Sequence, residues 1–189
     1  SRTKAIIPTQ LNGQVCDMEE LIIICNRYNL ILIEDAAQSL GAKYKGKSAG
    51  TFGLASAYSF YPAKVVGCFG DGGAVVTNDE YIYDKVFLTR DHGRAKIGEV
   101  VTWGMNSRLD NLQAAILDFK LSKYSLDIER RREIAHYYGN QLHELGLMLP
   151  PKLDDRLSSY HLYIIKNKNV RGDNQAKLMS QLIDLGVGI

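Results

Sequence analysis

The sequence runs to 189 residues, 46% hydrophobic and 23% charged, the composition of a globular domain with part of a second. Its 23 Lys and Arg against 21 Asp and Glu leave a formal charge of +2, mixed along the chain without a basic arm or acidic tail, which argues against nucleic acid or a membrane surface as partner. The longest apolar runs, residues 21–25 and 30–33, fall far short of the roughly 20 residues that cross a bilayer, and three cysteines without a C-x-x-C spacing point to a reducing, cytoplasmic compartment.

Residues 5–8 read as a strand entered directly from a start that has no signal-peptide pattern, so the chain is expected to be the middle of a longer polypeptide. Asp17 with Glu20 forms a capping box, and Met18, Leu21, Ile22 and Cys25 recur at helical spacing, which predicts a helix over 17–28. The apolar run 30–33 predicts a parallel strand buried on both faces, completing a βαβ unit. Residues 56–60 and 73–77 read as two further strands, the second bounded by glycines and by Asn78-Asp79. Helices are expected over 79–91 and over 107–119, the latter with Leu109, Leu112, Ile116 and Phe119 on one face and Ser107 with Asp110 at capping-box spacing. A charged helix over 126–145 follows, its basic run a solvated face. Pro150-Pro151 then breaks the pattern, residues 160–165 read as a strand, and 173–185 form a last helix with Gly186 at its end. The expected division is 1–122 as one domain, with 123–189 a connecting helix and the start of a smaller one. No repeat is present, and the order of elements indicates an α/β protein with a mostly parallel mixed sheet between helix layers.

Ligands of open α/β sheets gather at the carboxyl ends of strands, which singles out Glu34, Asp35 and Gln38. Asp35 reads there either as a ligand group or as the cap of a following helix, with Gln38 completing its capping box, and position alone favours the cap. At the end of the next strand stands Ser59, and just beyond it Lys64. A lysine there is ordinarily solvated, but Pro62, Val65 and Val66 give Lys64 the apolar setting that makes a Schiff-base amine conceivable. The glycine-rich stretch 67–73 looks like a phosphate loop only superficially, because it runs into a strand candidate and not into a helix. Asn106 precedes a helix start and could donate to an anion, or the stretch is only a glycine turn capped by Ser107. The four histidines form no metal set, and ordinary polar or core roles fit them.

Taken in order, Glu34-Asp35-Ala36-Ala37-Gln38, Ser59-Phe60-Tyr61-Pro62-Ala63-Lys64, Gly70-Asp71-Gly72-Gly73-Ala74 and Asn106-Ser107-Arg108 through Gln113-Ala114-Ala115 resemble the DegT/DnrJ/StrS family of sugar aminotransferases. Residues 13–18 and Arg90-Asp91-His92-Gly93 match as well, so the resemblance covers about residues 5–145 and continues more faintly beyond. It implies an aspartate-aminotransferase-like fold of type I, here as a central fragment, and a homodimer with shared active sites. The implied reaction passes an amino group from an amino acid, commonly glutamate, to a nucleotide-linked keto sugar by means of pyridoxal phosphate (PLP). Carried over, Lys64 is the lysine that holds PLP as an internal aldimine and moves the substrate Cα proton. Asp35 faces the pyridine nitrogen, Gln38 lies beside the ring, Ser59 contacts the phosphate, and Asn106 reaches the phosphate of the partner subunit's cofactor. Val65-Val66 and Leu54 depart from the usual family residues without touching this chemistry. Lys64 stands where the related sugar dehydratases carry histidine. Family enzymes are about twice as long, and their preceding part supplies a phosphate-cupping loop and a ring-stacking aromatic. A catalytically silent folding or dimerisation module is therefore the alternative for the segment alone, and a PLP-dependent sugar dehydratase is the alternative within the family.

Overall fold

The computed structural model describes residues 2–95, 98–168 and 170–188. Strand β1 (Ala5–Ile6) leads through a loop to helix α1 (Met18–Tyr28), where Asp17 accepts the Glu20 amide as N-cap and Asn29 closes the end in the left-handed conformation. Strand β2 (Ile31–Asp35) returns parallel to β1 with Ala5 opposite Ile31, so the expected βαβ unit forms. A short hairpin that sequence reading missed follows, β3 (Lys43–Tyr44) and β4 (Lys47–Ser48), turning at Lys45 and Gly46 with φ of 47° and 81°. Strand β5 (Ala55–Ser59) pairs parallel with β2, and β6 (Gly73–Thr77) runs antiparallel beside it, giving the four-stranded order β1-β2-β5-β6.

Helix α2 (Glu80–Thr89) starts at Asp79, whose carboxylate accepts the Ile82 amide. Helix α3 (Asn111–Leu121) begins later than the Ser107 capping box implied, with Asp110 as its N-cap. The Ser107 amide is taken instead by the Arg90 carbonyl, and Met105 bonds Thr89 in the same way, so residues 105–107 lie alongside 89–92 and cannot wind. Helix α4 (Tyr124–Leu142) follows. The strand expected over 160–165 is absent. Tyr160 has a φ of 46°, and only an isolated bridge joins Met148 to Lys166. The strand lies earlier, β7 (Arg156–Leu157), paired to β3 in a small sheet of order β4-β3-β7. After it the Ser159 amide bonds the Gly13 carbonyl, which takes the chain off the ladder. Helix α5 (Asp173–Asp184) ends at Gly186, whose amide and that of Val187 return to Ile183 and Leu182.

One core cluster joins α1, β2 and the hairpin through Met18, Cys25, Leu32, Tyr44 and Ala49; a second joins Val66 and Cys68 to Leu117 of α3. Strand β2 is not buried on both faces, as its apolar run suggested. Leu32 and Glu34 are buried, whereas Ile31 is 47% exposed, so one face packs on the core and the other stays open. No helix among the described residues is long and apolar enough to cross a membrane.

Candidate active site

Because β2 and β5 are parallel, their carboxyl ends meet at one edge of the sheet. The register sets Glu34 opposite Ser56 and Asp35 opposite Ala57. Side chains alternate along a strand, so Glu34 and Ser56 share the buried face while Asp35 and Ser59 share the other. The two neighbouring acids are thereby separated. Glu34 is fully buried, and its carboxylate accepts from Gln10 Nε2 at 3.0 Å and the amides of Gly50, Phe52 and Gly53 at 2.8, 2.6 and 3.0 Å. Four donors offset its loss of water and leave it committed to structure, tying the 50–53 loop to the segment before α1.

Asp35 is half-buried on the open face, accepting from Thr9 Oγ1 at 3.2 Å and the Ala37 amide at 3.1 Å. The helix that Asp35 and Gln38 might have capped does not form, and Asp35 closes a turn. In that turn Gln38 Oε1 accepts the Asn12 amide at 2.8 Å, and its side-chain nitrogen has no hydrogen-bond partner among the described residues. Ser59 Oγ accepts the Tyr61 amide at 3.3 Å, which leaves its hydroxyl proton available to donate.

Lys64 lies in a loop whose ends are fastened. The amide and thiol of Cys68 both bond the Phe60 carbonyl, at 2.8 and 2.9 Å, and the Lys64 amide bonds Tyr61 O at 2.9 Å. Gly67 permits this closure, since a Cβ there would lie 2.5 and 2.6 Å from the carbonyl oxygens of Tyr61 and Pro62. Helix α3 clamps the loop from outside: Lys120 Nζ donates to Gly67 O at 2.5 Å, and Gln113 Oε1 accepts the Phe69 amide at 2.9 Å. Lys64 itself is half-buried, and its ammonium has no hydrogen-bond or ion-pair partner among the described residues. The glycine stretch runs into strand β6, which removes the nucleotide-loop reading.

Asn106 stands apart from this group. It is exposed, its segment bridges to Asp91, and its Oδ1 accepts from Arg108 Nε at 3.4 Å. No hydrogen bond among the described residues joins it to Asp35, Gln38, Ser59 or Lys64.

His161, read from the sequence as an isolated histidine with an ordinary polar or core role, lies within reach of the Lys64 charge. Its burial, the charge of Lys64 and the charge of Arg131 together hold the imidazole below its ordinary pKa, and its Nδ1 is buried without a hydrogen-bond partner among the described residues. The surrounding strap is tied to the turn that holds Gln38. Ser158 Oγ and the Ser159 amide donate to Gly13 O, the Leu162 amide bonds Asn12 O, and Arg131 bonds the Tyr160 carbonyl. Only folding brings this residue near Lys64, and no local spacing announces it.

The chain belongs to the DegT/DnrJ/EryC1/StrS aminotransferase family, whose sequence profile matches residues 1–189. It is 43% identical over 183 residues to a protein of Geobacillus stearothermophilus named a pleiotropic regulatory protein, covering 95% of this chain and 49% of that protein. It is 47% identical over 168 residues to the dTDP-3-amino-3,6-dideoxy-alpha-D-galactopyranose transaminase of Aneurinibacillus thermoaerophilus, covering 89% and 46%. Among solved structures, DesV of S. venezuelae in complex with a ketimine intermediate matches with a TM-score of 0.91 at 37% identity, over 99% of this chain and 49% of that one. NtdA of Bacillus subtilis with bound cofactor PMP matches with a TM-score of 0.81 at 35% identity, over 95% and 41%. The fold is therefore that of the family's aminotransferases, and the chain spans about half the length of the curated relatives it matches.

Proposed function

We propose that this chain is the central part of a PLP-dependent aminotransferase that passes an amino group from an amino acid, glutamate, to a nucleotide-linked keto sugar in cytoplasmic amino-sugar biosynthesis. The observation that carries the reading is the shared open face of Asp35 and Ser59 at the edge from which the Lys64 loop departs. The atoms left unspent there among the described residues suit the cofactor: the Lys64 ammonium, a half-buried carboxylate, a hydroxyl proton and the side-chain nitrogen of Gln38. Bound PLP supplies the electron sink for loss of the substrate's Cα proton. Asp35 keeps the pyridine nitrogen protonated, and Ser59 donates to a phosphate that stays charged throughout. Lys64, once released as a free amine, takes the Cα proton and returns it at the other carbon. Asn106, exposed on its own loop, is assigned to the partner subunit's cofactor in a homodimer, and residues 1–122 form the part that holds the cofactor.

The test uses the full-length protein. Borohydride reduction should fix the cofactor covalently on a peptide containing Lys64, and Lys64→Arg should abolish both labelling and turnover, because a guanidinium with a pKa above about 12 is never the neutral amine. Labelling that persists in Lys64→Ala would defeat the assignment.

A further inference from the structure

We propose that Asp91, acting through Arg108, fixes which end of the Asn106 amide meets the partner subunit's cofactor phosphate, an inference that rests on the transaminase reading above. Asp91 and Asn106 face each other across an isolated antiparallel bridge, so their side chains leave the backbone on the same side. That backbone is zipped shut: the Met105 amide bonds Thr89 O at 2.8 Å, the His92 amide bonds Met105 O at 3.0 Å, and the Ser107 amide bonds Arg90 O at 2.8 Å. Gly104 permits the approach, since a Cβ there would lie 2.2 Å from the Gly93 nitrogen. Arg108, two residues beyond Asn106, returns to the same side, with Nη1 3.6 Å from Asp91 Oδ1 and Nε donating to Asn106 Oδ1 at 3.4 Å.

An asparagine amide carries an acceptor at one end and a donor at the other, and an exposed one is free to turn either toward a ligand. A guanidinium only donates. Beside Arg108, therefore, the amide oxygen turns inward and the NH2 is the end left for an anion. Asp91 secures the guanidinium in that place: its Oδ1 is buried and has no hydrogen-bond partner among the described residues, so the nearby charge of Arg108 is what offsets its loss of water. The same attraction keeps the guanidinium from swinging outward to take the phosphate itself. Asp91 is thus a positioning residue, and it acts across the dimer, on the cofactor held by the other subunit.

The experiment uses the full-length protein and reads the PLP concentration that half-saturates borohydride labelling of Lys64. Asn106→Ala removes a hydrogen bond to a charged group and should weaken PLP about ten- to hundred-fold. Both contacts of Arg108 are long, so Asp91→Asn should weaken it less, about three- to ten-fold, and Arg108→Lys, which keeps the charge without the planar fork, should do the same. In an Asn106→Ala background Asp91→Asn should add nothing, whereas a merely structural loss would add in full. Mixed dimers read the direction. A Lys64→Ala chain paired with an Asp91→Asn chain should label its one remaining lysine at the wild-type PLP concentration, and a wild-type chain paired with a chain carrying both changes should show the defect. Arg108→Lys carries the same test if the Asp91 variant does not fold. Unchanged affinity in Asn106→Ala or Asp91→Asn, additive losses, or a defect that stays with the chain carrying Lys64 overturns the proposal. Labelling of the wild-type protein separates the two failures: without it the transaminase reading falls and takes this inference with it, and with it only the role of Asp91 is at stake.

Discussion

Glu34 and Asp35 are adjacent acids on opposite faces of β2, the first spent on structure and the second proposed to serve the cofactor, and replacing each by its amide should separate stability from chemistry. In Glu34→Gln the shape is kept, but one of the two oxygens becomes a donor that faces either Gln10 Nε2 with the Gly50 amide or the amides of Phe52 and Gly53. Gln10 cannot turn over to compensate, because its own Oε1 accepts the Cys16 amide at 2.7 Å. Two buried donors lose their acceptor at about 1–3 kcal/mol each, so the variant should lose about 2–6 kcal/mol. In Asp35→Asn one oxygen still takes the Ala37 amide, and the Thr9 hydroxyl can rotate to accept from the new NH2, so the loss should stay below about 1 kcal/mol. Urea unfolding of the full-length protein, followed by circular dichroism, measures both. Cofactor affinity and turnover should reverse the order, with Asp35→Asn the more damaged. If the two variants unfold at the same urea concentration, or if Asp35→Asn is the less stable, the assignment of the two faces is wrong.

Gly67→Ala should cost about 1–3 kcal/mol and slow borohydride fixation at Lys64, since the added Cβ meets the Tyr61 and Pro62 carbonyls; thermal unfolding and a labelling time course check it. His161 gives a pH signature. With its folded pKa below the ordinary 6.5, the unfolded chain binds the proton first as pH falls, so the stability it confers is full above about pH 6.5 and is lost as pH drops through the folded value. His161→Asn should flatten that acid limb in urea midpoints taken across pH, and Lys64→Ala should raise the ring's titration as read by NMR. Ser107→Ala should leave the melting temperature unchanged within the equivalent of about 0.5 kcal/mol, because α3 begins only at Asn111, beyond the reach of Ser107; a loss of a full cap's worth would restore the earlier helix start.

Local chemistry made much of the fold legible. Asp17 with Glu20 marked the start of α1, the β-branched run after the glycines marked β6, and the leucine stripe before Gly186 marked α5. What failed were the places where tertiary bonds choose between equally good local signals. Ser107 and Asp110 are both sound caps, and the carbonyl of Arg90 decided between them. Lys45-Gly46 turns a hairpin without the asparagine or aspartate that would advertise it. The aromatic stretch after Ser159 suggested a strand, but Tyr160 and Tyr163 pack on each other, and Tyr163 on Tyr138 of α4, without joining a ladder. The candidate site was legible as a set of residue types. Its geometry was not, because the shared face of Asp35 and Ser59 depends on a strand register that no single segment contains.

The site edge is held by parts of the chain outside Asp35, Gln38, Ser59 and Lys64. Helix α3 fixes the loop of Lys64 through Lys120 and Gln113, and the strap after β7 reaches the turn of Gln38, where Ser159 Oγ lies 3.5 Å from the Gln38 carbonyl. A lysine that must leave one partner and return to it needs a free stem on an immobile base, since a displacement of about 1 Å at the base is enough to spoil the geometry of attack. The closed loop from Phe60 to Cys68 supplies the base, and a Lys64 ammonium without a partner among the described residues supplies the freedom. Rigid support around a few unspent groups is what distinguishes an arrangement shaped for a ligand from one shaped for stability alone, because stability would have paired those groups within the fold.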